Sequence, residues 1–323
     1  MPAQGTRTHI GIGKETEWGT PVAATNYLKF TSETLNLAIE ELIRSSISGR
    51  RDEPQSISGL KSLAGNTVHQ VHPEYLGMIL RSWFGDPVTT HPGTLAYQHV
   101  FTPSDTDFSD DCTGRPYTLE VFRDIGSANA FQLSGMVANT LAFAFGVGEK
   151  VLGLTTSWLG KSLAKLTKTS PVLETTDPFK WSQSIIKIAT VAEGNLETLG
   201  FTLESGLAAI PLLNNTDVVA KIIGDDFRTG TMAASFLVHD AVQWDDFSSY
   251  TTRAWEITFT GPEIETAQNF SLKFEFPKVL FTAYPINVGG PAKIVVPGTA
   301  KIKYDSSAGF MARITLKNTT VSY

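Results

Sequence analysis

Three stretches of this chain change polarity at every second residue, a period that a strand satisfies and a helix does not. They are Thr118–Arg123 (TLEVFR), Ala254–Thr260 (AWEITFT) and Phe270–Phe276 (FSLKFEF). In each, one set of side chains faces a core and the other faces water or a partner. Turn signals such as Val288–Pro291 (VGGP) and Val296–Gly298 (VPG) punctuate the rest. The chain is therefore expected to be mainly β. One amphipathic helix is predicted over Pro73–Gly85, where Leu76, Ile79, Leu80 and Trp83 share a face between a first-turn proline and a terminal glycine. Leu159–Leu166 is a weaker helical candidate.

The order of elements runs twice. Phe30–Leu35 (FTSETL) resembles Phe201–Gly206 (FTLESG), and each leads into a short apolar strand. A long polar segment comes after it in both halves, Arg44–Lys61 in the first and Asn214–Gly230 in the second, the latter more apolar in its middle. Strands come next at Thr67–Val71 and Thr231–Val238. Then Tyr97–Pro103 matches Trp255–Gly261, Tyr117–Arg123 matches Phe270–Phe276, and Asn139–Leu154 matches Ala292–Tyr304. Asp240–Tyr250 stands where the first half has its helix, with a weaker pattern. This reading divides the chain into an arm over 1–29, β domains over 30–166 and 196–323, and a connector over 167–195 that contains the loop-like Thr167–Pro178.

Of 323 residues, 41% are hydrophobic and 18% charged, against about 25% charged in an average soluble domain. A charge-poor surface suits a protein packed against copies of itself. The net charge of −6 argues against gripping nucleic acid, which needs a basic stripe; it does not argue against a passage through which DNA slides. The N-terminus has no apolar signal core, and Met136–Val147 is too short to span a bilayer, so neither export nor a membrane is expected.

Chemistry-bearing motifs are absent in detail. Gly11–Thr16 (GIGKET) has Thr8 and Glu15 where a phosphate loop needs glycine and a hydroxyl. His69 and His72, three apart on a strand, point to opposite faces. Asp105, Asp107, Asp110 and Asp111 lack the glycine and closing glutamate of a calcium loop. The single cysteine, Cys112, has no basic neighbour to activate it, and there is no G-x-S-x-G elbow. No catalytic, cofactor or metal site is expected.

The segment Gly13–Ala23 (GKETEWGTPVA), with Tyr27–Phe30 after it, resembles the opening of the phage tail tube proteins. The next segments share the resemblance: Ser32, Glu33 and Leu35 in a strand, a loop ending at Ser48–Arg51, Gly65 and Asn66 in the next strand, and a helix ending Trp83–Gly85. The resemblance covers about residues 11–160 directly and the remainder through the repeat. It implies tandem β-sandwich or barrel-like domains with long hairpin loops and a flanking helix. Copies would join side by side around an inner barrel, and rings would stack into a hollow tube. With six domains per ring, a duplicated chain implies a trimer with pseudo-sixfold symmetry; without the duplication, a hexamer.

On that reading Trp18, Gly19 and Pro21 form an arm suited to a neighbouring subunit. Arg44, Arg50 and Arg51, with Asp225, Asp226 and Arg228, sit in loops that join rings. The implied partners are further copies, a tape-measure protein in the lumen, tail terminator and distal tail proteins, and viral DNA passing without sequence preference. The implied location is the virion tail, after assembly in the host cytoplasm. The alternative is a tail adhesion or fibre-type carbohydrate-binding module, which shares the β-rich, Ser/Thr-rich composition.

Overall fold

The computed structural model describes residues 2–44, 46–47, 49–103 and 115–323. The acidic run Asp105–Asp111 and Cys112 lie outside them. The fold is mainly β, with antiparallel ladders throughout its named strands and, among the described residues, two α-helices. The first half contains β1 (His9–Lys14), β2 (Asn26–Leu28), β3 (Ser32–Glu33), β4 (Asn36–Leu42) and β5 (Ile57–Gln70). Helix α1 (Leu76–Phe84) comes next, then β6 (Val88–Thr90), β7 (Tyr97–Phe101), β8 (Tyr117–Phe122), β9 (Ala130–Gly146), β10 (Gly153–Gly160) and β11 (Ser162–Leu166). The second half contains β12 (Ser184–Ile188), β13 (Val191–Ala192), β14 (Leu196–Glu204), β15 (Leu207–Ile210), β16 (Lys221–Gly224) and β17 (Thr229–Leu237). It ends with α2 (Val242–Ser248), β18 (Thr252–Glu265), β19 (Gln268–Ala283), β20 (Val295–Lys303) and β21 (Arg313–Asn318).

The same ladder order occurs in both halves. In the first, β1 pairs with β8, β8 with β9, β9 with β10 and β11, and β10 with β5. In the second, β12 pairs with β18, β18 with β19, β19 with β20 and β21, and β20 with β17. Hairpin β4–β5 and hairpin β15–β16 hold the same place in the two orders; α1 comes after β5, whose second part pairs with β10, and α2 after β17, which pairs with β20. The ladders match β8 with β18 and β9 with β19. The sequence pairings of Tyr97–Pro103 with Trp255–Gly261 and of Tyr117–Arg123 with Phe270–Phe276 are thus each one element out of step. Among the described residues, strands β6 and β7 have no second-half counterpart, and β7 pairs instead with β21.

The halves are joined edge to edge. Thr140–Gly146 of β9 pairs with β14, so β9 lies between β10 of its own half and β14 of the other. Aromatic rings fill the join: Phe143 stacks on Phe201 at 5.1 Å between centroids, and both meet Phe274 edge-on at 4.9 Å. One apolar core runs from Ile10 and Leu119 through these rings to Ile314 and Leu316. Burying that much aromatic surface, with edge-to-face geometry, is what fixes the halves together.

Helix α1 forms where its apolar stripe predicted. Its buried face packs over β9, where the Trp83 indole N–H donates to Asn139 O at 3.0 Å and Ala138 N–H donates to Ser82 Oγ at 2.9 Å. Gly85, at φ +97, ends it with an N–H donated to Arg81 O. Leu159–Leu166 is not helical: it spans the end of β10 and β11. Strand β10 lies between β5 and β9, alternates in burial along its length, and places Trp158 in the core with its N–H on Thr67 Oγ1 at 2.8 Å. Ladders on both sides outweigh a weak local helical preference. The polar segments are also shorter than expected. Strand β5 begins at Ile57, and the apolar middle of Asn214–Gly230 becomes β16, which pairs with β15.

Candidate assembly surfaces

The arm between β1 and β2 folds onto its own chain. Glu15 is buried, and its carboxylate accepts three hydrogen bonds: from Thr118 Oγ1 at 2.6 Å, Gly135 N–H at 2.8 Å and Gly19 N–H at 2.7 Å. Trp18 donates its indole N–H to Gly135 O at 2.9 Å, and the Lys161 ammonium sits 4.5 Å from the Trp18 ring centroid. Gly19, at φ +78, is pressed against the Lys161 side chain, while Pro21 is exposed. A buried carboxylate with three donors is a strong anchor. Nothing in the local pattern marks Glu15 for this role, because two of its donors lie more than a hundred residues away.

Hairpin β15–β16 leaves its own half and lies over the first. Leu207, Val219 and Ile222 bury themselves with Val137, and Trp18, Leu159 and Ala209 pack around them. Leu207 N–H donates to Asn139 Oδ1 at 3.0 Å, and Lys61 N–H donates to Asp217 O at 2.7 Å. The bend into the hairpin needs Gly206 at φ +66, which receives the N–H groups of Asp225 and Asp226 on its carbonyl. The tip remains outside, with Leu213 fully exposed.

Hairpin β4–β5 has no such cover among the described residues. Beyond Leu37 and Leu63, which touch the core, its outer residues Ile39, Leu42 and Ile57 are exposed at 54%, 40% and 47%. Arg44, Arg50 and Arg51, which lie between β4 and β5 in sequence, are exposed. Asp226 and Arg228 meet in a cavity of 590 Å³ at the base of β15–β16, with Phe227, Tyr304, Phe310 and Met311; Asp225 is exposed beside it. The structure thus brings Trp18 and Gly19 together on Lys161, and Asp226 and Arg228 together in the cavity. The arginines of the first half stand apart from both.

A row of alternating charges crosses four strands of the second half. Lys187 pairs with Glu256 at 3.2 Å, Lys273 with Glu256 at 2.8 Å and with Glu275 at 3.2 Å, and Arg313 with Glu275 at 2.9 Å. Hydrogen bonds from Lys273 and Lys187 hold the Glu256 carboxyl below its usual range, and for Glu275 burial pushes upward but Arg313 and Lys273 together outweigh it and hold the carboxyl low. A face so internally neutralised has little charge to offer a ligand. His69 and His72 turn their Nδ1 atoms to the carbonyls of Lys29 and Thr176 at 2.8 and 2.7 Å. Of the six tryptophans, Trp83, Trp158 and Trp255 are core residues, while Trp181 and Trp244 are exposed.

A family model described as phage tail tube protein matches residues 5–312. No curated protein matches the chain. A solved structure of a Pseudomonas aeruginosa FadL homologue aligns at 11% identity, over 96% of this chain and 87% of that one, with a TM-score of 0.10, which is no likeness of fold.

Proposed function

The chain belongs to the phage tail tube protein family, and we propose that it polymerises into stacked rings that form the hollow tail tube and conduct DNA into the host. The observation that carries this reading is the β9–β14 ladder, in which two units of like strand order meet edge to edge within one chain. Repeating that join between copies closes a ring and leaves no strand edge open. Two units per chain and six per ring give a trimer. The two units are taken as 30–166 and 196–323, with the arm over 1–29 and the connector over 167–195.

Rings stack through exposed points beyond the two hairpins: the Leu213 tip and the side chains of Arg44, Arg50 and Arg51. A tape-measure protein occupies the lumen during assembly, and terminator and distal tail proteins cap the ends. The chain acts as a structural part of the virion tail, assembled in the host cytoplasm, without catalysis. Purified protein viewed by negative-stain electron microscopy across a concentration series tests this. Annular particles or striated tubes are expected. Compact oligomers without a bore at every concentration would move the weight to a carbohydrate-binding adhesion module.

A further inference from the structure

The duplicated ladder order makes one half a template for what the other half lacks. In the first half, the surface beside Lys61 of β5, the end of β10 at Leu159 and Val137 of β9 is covered by hairpin β15–β16. The corresponding elements of the second half are the start of β17, the end of β20 and β19. At that place the chain has the cavity of 590 Å³, bordered by Gly224, Phe227 and Arg228 ahead of β17, by Tyr304 after β20, and by Phe310 and Met311 before β21. Phe227 and Tyr304 are exposed at 87% and 58%. The hairpin with the right place in the order to fill it is β4–β5, whose paired Leu42 and Ile57 are left exposed among the described residues.

We propose that this cavity receives hairpin β4–β5 of a second copy, with Leu42 and Ile57, which pair across the hairpin, seated against Phe227 and Tyr304. The contact repeats between chains what β15–β16 does within one. It makes β4–β5 a side-to-side clasp within a ring and leaves Arg44, Arg50 and Arg51 for other contacts. The exposed Leu42 and Ile57 side chains and the exposed rings of Phe227 and Tyr304 are complementary in kind, and burying both removes apolar surface from water. The inference rests on the tube reading, since it supposes that copies assemble side by side.

Two single-cysteine chains test it, each with the native Cys112→Ser. One carries Leu42→Cys and the other Phe227→Cys, both at exposed positions that leave the core untouched. The two are mixed under assembling conditions, oxidised, and analysed on a non-reducing gel while the same samples are imaged. The expected result is a disulfide-linked dimer at least tenfold more abundant in the mixture than in either chain alone. Adding Ile57→Asp to the Leu42→Cys chain is expected to lower that yield at least fivefold with an unchanged circular dichroism spectrum. Rings or tubes without a mixed dimer would overturn the clasp and leave the tube reading standing. A mixed dimer without rings would support the clasp and count against the tube. Neither rings nor dimer would count against both.

Discussion

Lys61 and Asp217 are joined twice, by a backbone N–H to carbonyl hydrogen bond at 2.7 Å and by a side-chain ion pair at 2.6 Å. One residue sits at the base of the first half's hairpin and the other in the loop of the second half's. The pair marks where one unit reaches across to hold the other. Its side chains are solvated, so the grip comes from the apolar residues beside it.

Ile222 is the centre of that grip. Replacing it with alanine removes a fully buried side chain between the halves and is expected to cost roughly 2–4 kcal/mol in urea unfolding. A loss under about 0.5 kcal/mol would mean that the hairpin is not seated on the first half.

Gly206 sets the angle at which the hairpin leaves its sheet. An alanine there would take φ +66 and place its Cβ 2.5 Å from Asp226 O. Gly206→Ala is expected to destabilise by roughly 1–3 kcal/mol and to speed proteolysis within residues 207–228. Unchanged cleavage there would contradict the role given to the bend.

Glu15 holds the arm. Glu15→Ala strands three donors, two of them backbone N–H groups, and is expected to cost roughly 2–4 kcal/mol. Amide hydrogen exchange over residues 15–25 should quicken more than exchange in β14. Equal effects in both would mean general destabilisation instead of release of the arm.

Two buried groups titrate in opposite senses beside α1. Burial pushes the Glu174 carboxyl up to about 7, against hydrogen bonds from Glu74 N–H and Thr176 and with His72 3.5 Å away. Burial likewise holds the His69 imidazole at about 4, its Nδ1 on Lys29 O and His72 nearby. Glu174 therefore contributes stability that is complete below pH 4.5 and lost as pH rises through about 7. The His69 contribution is complete above pH 6.5 and lost as pH falls through about 4. Over the shared window the two slopes oppose each other. Glu174→Gln removes one of them, so the variant should gain on the parent as pH rises from 4.5 to 7, by roughly 2–3 kcal/mol. A constant difference across that range would contradict the assignment.

The alternating stretches Thr118–Arg123, Ala254–Thr260 and Phe270–Phe276 were legible as strands because their periodicity is local, and α1 was legible for the same reason. Leu159–Leu166 misled because its leucine, alanine and lysine content favours a helix locally, whereas its partners β5 and β9 lie elsewhere in the chain. The repeat was legible in its order but slipped at β7, whose pairing partner, β21, comes some two hundred residues later. Asp226 and Arg228 stood out as a charged loop. The cavity they share with Tyr304 and Phe310 could not, since it exists only once β20 and the segment before β21 are folded beside β17. Glu15 was hidden for a like reason: its donors are brought to it by β8 and β9.

The rotational symmetry of an assembled ring, seen down its bore by cryo-electron microscopy, tests the account most directly. Three chains per ring are predicted, showing six similar units around the bore at intermediate detail and strict threefold symmetry at high detail. Six chains per ring, or a particle with no bore, would contradict it.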